Sequence, residues 1–383
     1  MSERAAYLTQ AAVFLPNAPV GNDDMERVLG RIGGRESRAR PIILGRNGIV
    51  TRHYAIDPVS GAPTHTNAQL AAEAVRRLQD EHFSLGDLDC LAASTSIPDQ
   101  LLPSHATMVH GELGSPACEV ISTSAVCICG VSALKYAYMG VLSGLFRRAV
   151  ASGSEAASSI LRAAIFEPEL QARVDALQQN PEIAFEKDFL RWMLSDGAGS
   201  LLVEPQPRTG ATSLRIEWIE IFSYANETEP CMFAGAEKLR DGRLRGWMWA
   251  PPEERVARSV MALKQDVRLL NEKIMHYTVE RGITDLIARR RLFADEIDHF
   301  LPHYSSGFFR DRVHESMKKV SFDVPQERWF TNLPTKGNTG SAALYIMLEE
   351  LFHSGRLRPG EKILCYVPES GRFSVAYILL TVV

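Results

Sequence analysis

The stretch Ile121-Ser122-Thr123-Ser124-Ala125-Val126-Cys127-Ile128-Cys129-Gly130-Val131 offers a nucleophile. An apolar strand runs into small residues, then a cysteine, then a helix. A cysteine at a strand-to-helix turn faces the free amides of the helix start. Those amides and the helix dipole favour thiolate, an effect expected to lower a thiol from about 8.5 by about a unit. They can also hold the oxyanion formed when a thioester is attacked. Cys127 and Cys129 compete for the role, and a free cysteine is often just a small buried hydrophobe. Two further stretches bear on this. In Phe300-Leu301-Pro302-His303-Tyr304 a histidine leaves the end of an apolar strand, and in Gly337-Asn338-Thr339-Gly340 an asparagine sits between glycines before a helix. Taken singly, His303 reads as a satisfied structural residue and Asn338 as a turn or cap. Taken together, a cysteine and two hydrogen-bond donors suit a thioester whose oxygen turns into an enolate.

These stretches resemble ketoacyl synthase III of the thiolase superfamily, from about Arg46 to the C-terminus. Arg46-Asn47-Gly48-Ile49 is similar to that family's Arg-x-Gly-Ile segment, and Thr95-Ser96 with Leu102-Pro103-Ser104 to the loop before its first long helix. Ser143-Gly144 follows Cys127 at the family's spacing from active cysteine to Ser-Gly, which selects Cys127 over Cys129. Ser195-Asp196-Gly197-Ala198-Gly199, Pro302-His303 and Gly337-Asn338-Thr339 match further motifs. The family's three glycines before phenylalanine read Glu369-Ser370-Gly371-Arg372-Phe373 here, with Gly371 in the middle position. That departure, with Phe185-Glu186-Lys187-Asp188-Phe189-Leu190-Arg191-Trp192, is more similar to the ketosynthases that form dialkylresorcinols and cyclohexanediones.

The resemblance implies a two-stage cycle. Cys127 takes an acyl group while the amides of Cys127 and Gly371 form the oxyanion hole. His303 and Asn338 then stabilise the enolate of a second thioester, a 3-oxoacyl chain in the closer sub-family. The ordinary family instead decarboxylates malonyl-carrier protein, and a non-catalytic thiolase-fold subunit is the remaining alternative. Arg46 matches a residue that touches coenzyme A, and Leu102 an aromatic that limits acyl length across a dimer interface. The implied protein is a homodimer using acyl-coenzyme A or acyl carrier protein. It needs no cofactor, coenzyme A or phosphopantetheine serving only as substrate carrier. The base for proton removal is unassigned.

The elements that must position these groups alternate. Helices are expected over 67–83 (capped by Asn67), 105–113, 130–143, 252–282 and 340–351. Strands are expected over 88–94, 117–121, 149–153, 199–203, 214–223, 297–301, 362–367 and 374–382. Such alternation predicts α/β layers; the resemblance specifies a five-layered αβαβα body of two similar halves, 1–205 and 206–383, with a cap inserted at 155–195. The chain has 383 residues, 45% hydrophobic and 23% charged, with a net charge of −4. That composition suits a globular protein and gives no pull toward nucleic acid or anionic membrane. No apolar run approaches a membrane span, and the start lacks a signal-peptide pattern, so a cytoplasmic location is expected. There the six cysteines stay reduced. Cys127-Ile128-Cys129 is too tight for a zinc knuckle and no second pair follows, so no metal is expected.

Overall fold

The computed structural model describes residues 4–165, 190–258 and 260–383. Nine strands among them form one mixed sheet: β1 (Tyr7–Phe14), β2 (Cys90–Ser94), β3 (Glu119–Thr123), β4 (Ala149–Glu155), β5 (Gly197–Glu204), β6 (Leu214–Ser223), β7 (His299–Pro302), β8 (Lys362–Glu369) and β9 (Ser374–Val382). Their order is β7-β8-β9-β6-β1-β5-β4-β2-β3. The first strands of the two runs, β1 and β6, meet antiparallel at Leu8↔Leu214. Outward from there the pairing repeats. β5 then β4 join antiparallel, as do β9 then β8; β2 and β7 follow in parallel. β3 extends the first run, and a single parallel bridge, Phe300↔Trp329, stands in its place in the second.

Side-chain alternation assigns the layers. Along β8 and β9, Leu364, Tyr366, Val375, Tyr377 and Leu379 face one core, while Ile363, Cys365, Val367, Ala376, Ile378 and Leu380 face another. The first core holds an outer helical layer, α4 (Val267–Met275), α5 (Gly282–Arg290) and α6 (Arg310–Lys319). On the other run, Leu91, Ala93, Val150 and Leu202 meet α1 (Asn67–Arg76) and α2 (His105–Leu113). The core shared by both runs encloses α3 (Ile128–Ser143) and α7 (Ala343–Phe352). Strands buried on both faces need continuous apolar sequence, and β9 supplies it. The layers are therefore αβαβα.

Three local readings change. Thr66, not Asn67, caps α1 in a capping box with Gln69. Asn67 instead donates to Thr95 Oγ1 and the Ile97 carbonyl, tying α1 to the loop after β2. The single helix expected over 252–282 is broken. A short helix, Pro252–Ala257, is followed by the strand Lys264–Gln265, and α4 starts only where the Asp266 carboxylate accepts from Leu269 N. Of the cap expected over 155–195, residues 166–189 lie outside the described residues, with the motif's Phe185 to Phe189. Its return, Leu190–Ser195, is buried rather than lid-like, with Trp192 fully enclosed.

Candidate active site

Cys127 stands at the junction of β3 and α3, already helical at φ −64°, ψ −31°. Its helix is placed by close approach to the second half of the chain. A Cβ on Gly130 would sit 2.3 Å from the Ser341 carbonyl oxygen, and one on Gly153 of β4 would sit 2.6 Å from it. Only glycine allows this contact. Tyr345 of α7 then donates from its hydroxyl to the Gly130 carbonyl at 2.7 Å. The turn before α7 carries Asn338, whose N–H donates to the Met193 carbonyl and whose carbonyl accepts from Ser195 N. Ser195 leads into buried Asp196, which accepts from Ala55 N and Ser158 N and is pushed up to about 6 by burial.

The result is a cavity of about 160 Å³ lined by Cys127 and Asn338 together with Glu155 and apolar Ile97, Val126 and Met232, among others. Asn338 Oδ1 accepts from Gly340 N at 3.0 Å, and its Nδ2 has no protein partner among the described residues. His303 follows β7, its N–H donating to the Tyr366 carbonyl of β8 at 2.8 Å. Its ring is buried, has no hydrogen-bond partner among the described residues, and is pushed down to about 4 by burial. It lies outside the lining of the cavity that holds Cys127 and Asn338. Gly371 follows β8 and accepts from Cys231 N and Met232 N through its carbonyl. A Cβ on it would stand 3.1 Å from both Val126 Cγ2 and Glu369 Oε1, so its backbone lies against the nucleophile loop. Among the described residues the amides of Cys127 and Gly371 have no backbone acceptor.

Cys129 is fully buried, donates its thiol to the Val126 carbonyl at 2.9 Å and does not line the cavity. Arg46 is exposed on the helix Arg40–Asn47, and Leu102 is 84% exposed in the loop before α2. Neither reaches the cavity, although Ser96 and Ile97 of the same loop as Leu102 do.

The expected thiolate-favouring field is overturned. Burial pushes the Cys127 thiol up, and the carboxylates of Glu369 and Glu155 push it further. The Cys127 amide favours the thiolate, but by less than burial opposes it, and Glu369 takes the neighbouring amides. Its Oε2 accepts from Val126 N at 2.9 Å, and the Ile128 amide also faces the carboxylate. Both glutamates went unread as site residues. Glu369 stood in plain view as a charged residue in an apolar strand end, a signal of a functional or strained position.

Residues 287–379 match the family described as 3-oxoacyl-[acyl-carrier-protein] synthase III C terminal, a segment that contains His303, Asn338 and Gly371. The β-ketoacyl-[acyl-carrier-protein] synthase III of Bordetella petrii is 25% identical over 94% of this chain and 93% of its own. Among solved structures, AbyA1, a tetronic acid condensing enzyme, aligns with a TM-score of 0.74 at 21% identity, covering 98% of this chain and 99% of that one. A variant of Xanthomonas campestris OleA with bound lauric acid and lauroyl-CoA aligns at 0.73 and 17% identity, covering 99% of each chain. Relatives that run the length of the chain, with a family match over its C-terminal segment, make it a ketoacyl synthase III-like acyltransferase, and its solved neighbours share its fold.

Proposed function

We propose that this chain condenses two acyl thioesters, with the acyl group carried on Cys127 and a 3-oxoacyl thioester as the carbon nucleophile, giving a precursor of a cyclohexanedione or dialkylresorcinol. The observation that carries the reading is the shared cavity of Cys127 and Asn338, with two unclaimed donors, Asn338 Nδ2 and the His303 ring, contributed by the second half of the chain. Cys127 attacks the first thioester, the amides of Cys127 and Gly371 receive the oxyanion, and the carrier thiol leaves. The second thioester then gives an enolate whose oxygen is held by His303 and Asn338, and its C2 attacks the acyl group. A neutral imidazole suits a donor role, and burial keeps His303 neutral at working pH.

The alternative is the decarboxylative route, with malonyl-carrier protein as nucleophile, and likeness to β-ketoacyl-[acyl-carrier-protein] synthase III relatives supports it equally. A bare scaffold role would leave Cys127, His303 and Asn338 without a purpose. Intact-protein mass spectrometry after incubation with acyl-coenzyme A reads the first stage. Cys127→Ala should abolish acyl loading and Cys129→Ala should keep it; an acyl group mapped to Cys129 sinks the assignment. Product analysis with a 3-oxoacyl thioester against malonyl-carrier protein reads the second stage. His303→Ala and Asn338→Ala should still load acyl groups yet release product about a hundredfold more slowly.

A further inference from the structure

A 3-oxoacyl nucleophile loses a proton from C2, whereas a malonyl nucleophile loses carbon dioxide. The first therefore needs a base and the second does not. Three groups are candidates to accept the proton: His303, Glu155 and Glu369. His303 is committed as a donor to the enolate oxygen if it acts as proposed, so it is poorly placed to take the C2 proton. Glu155 faces the cavity but is fully engaged. Its Oε1 accepts from Ser96 N, Ser96 Oγ and Ser341 N at 2.9, 2.7 and 3.1 Å, and its Oε2 lies 3.3 Å from Thr95 Oγ1. A carboxylate holding that many donors is a brace between the two halves, and each bond lowers its basicity. Glu369 differs. It is buried, the amides of Val126 and Ile128 face its carboxylate, and no side chain donates to it among the described residues. It lies behind Val126, which lines the cavity, and against Gly371.

We propose that Glu369 is the base that removes the C2 proton of the incoming 3-oxoacyl thioester, and that its carboxyl then returns that proton to Cys127. This rests on the reading that the nucleophile is not malonyl. The step balances. The C2–H bond breaks, the proton passes to the Glu369 carboxylate, and the electron pair stays as the enolate. C2 then bonds to the acyl carbon, the carbon–sulfur bond to Cys127 breaks, and the sulfur takes the proton from Glu369. The surroundings suit both halves. Burial raises Glu369 above the ordinary carboxylate range, which makes it a stronger base, and the raised Cys127 thiol readily takes the proton back.

The test separates proton removal from bond formation. In heavy water, Cys127→Ala cannot condense, so deuterium entering C2 of a 3-oxoacyl-coenzyme A above the enzyme-free rate reports the base alone. Adding Glu369→Gln should cut that exchange about a hundredfold. Glutamine keeps an acceptor oxygen for Val126, and an unchanged melting midpoint shows that the loop is kept. If the glutamine variant melts early, Glu369→Asp replaces it, with exchange expected between the two. Condensation by the single Glu369→Gln protein should fall in parallel. If wild-type protein condenses 3-oxoacyl thioesters and Glu369→Gln does so equally well, the base assignment falls and the functional reading stands. If wild-type protein accepts malonyl-carrier protein alone and Cys127→Ala catalyses no exchange, both fall.

Discussion

The imidazole of His303 carries a consequence separate from catalysis. Burial holds it near 4, so the folded chain refuses a proton that the unfolded chain accepts below about 6.5. A histidine depressed in this way contributes stability that is full above the unfolded value and is lost as pH falls through the folded one. His105, also pushed down to about 4, acts in the same direction. Asp196 acts in the opposite one. Its folded value of about 6 costs stability above that pH and relieves the cost on acidification. The two histidines together outweigh Asp196, and the contribution of His303 can be isolated by difference. His303→Asn should be no more stable than wild type at pH 7 and should gain on it by about 2 kcal/mol by pH 4.5. Melting midpoints of the two proteins across that range check this, and a constant gap would mean that the ring is solvated. At this scale the sequence points to the groups proposed to react but not to their electrostatics. Cys127, His303 and Asn338 are legible because a strand end and a helix start lie beside each in sequence. The reversal of the thiol's field comes first from burial and then from Glu369 and Glu155; Glu369 lies 242 positions beyond Cys127 in sequence, and only the fold brings it to Val126.

Elements set the distance between the halves, and they do so through glycine. Ser341's carbonyl oxygen lies where side chains on Gly130 and Gly153 would be, and Tyr345 Cβ lies 2.5 Å from a Cβ on Gly199. These three positions, on α3, β4 and β5, let α7 and the Asn338 turn close onto the helix that carries Cys127. Gly130→Ala should thus cost about 2 kcal/mol or more, since the obstacle is backbone, and should slow condensation by displacing the turn. Gly111, exposed within α2 with nothing near its Cβ position, is the matched control. Gly111→Ala should leave activity alone and stabilise by about 0.5 kcal/mol. Chemical denaturation of the two variants decides, and equal effects would remove the close-approach argument. Element identity was largely readable. The ends of β9 fall where its apolar run predicts, and α3 closes at Gly144 in the left-handed region at φ +82°. The break at Val260–Asp266 was not, because helical spacing continues through it while Asp266 starts a new helix by capping.

At the scale of the whole molecule, β3 is the open edge. Among the described residues it pairs with β2 alone, and an unpaired strand edge invites a partner. In the loop between β2 and α2, Leu101 and Leu102 are 64% and 84% exposed, unusual for large apolar residues adjoining a cavity-lining loop. Ser96 and Ile97 of that loop line the Cys127 cavity. A two-fold dimer that continues the sheet through β3 would cover this surface and carry Leu102 toward the partner's acyl pocket. Light scattering should then report a dimer at micromolar concentration, and a stable monomer would dispose of the arrangement. In such a dimer Leu102 is proposed to set acyl length across the interface. Leucine leaves space that a larger ring would fill, and each buried methylene adds about 0.8 kcal/mol, so two or three shift the preferred chain substantially. Leu102→Phe should shorten the optimum by about two carbons, read as kcat/KM over straight-chain acyl thioesters, with the dimer intact. An unmoved optimum in a folded dimeric Leu102→Phe protein would place the limit among Met232, Phe233 and Leu263. Those residues come from the segment between β6 and α4, and they line the cavity from within the same chain.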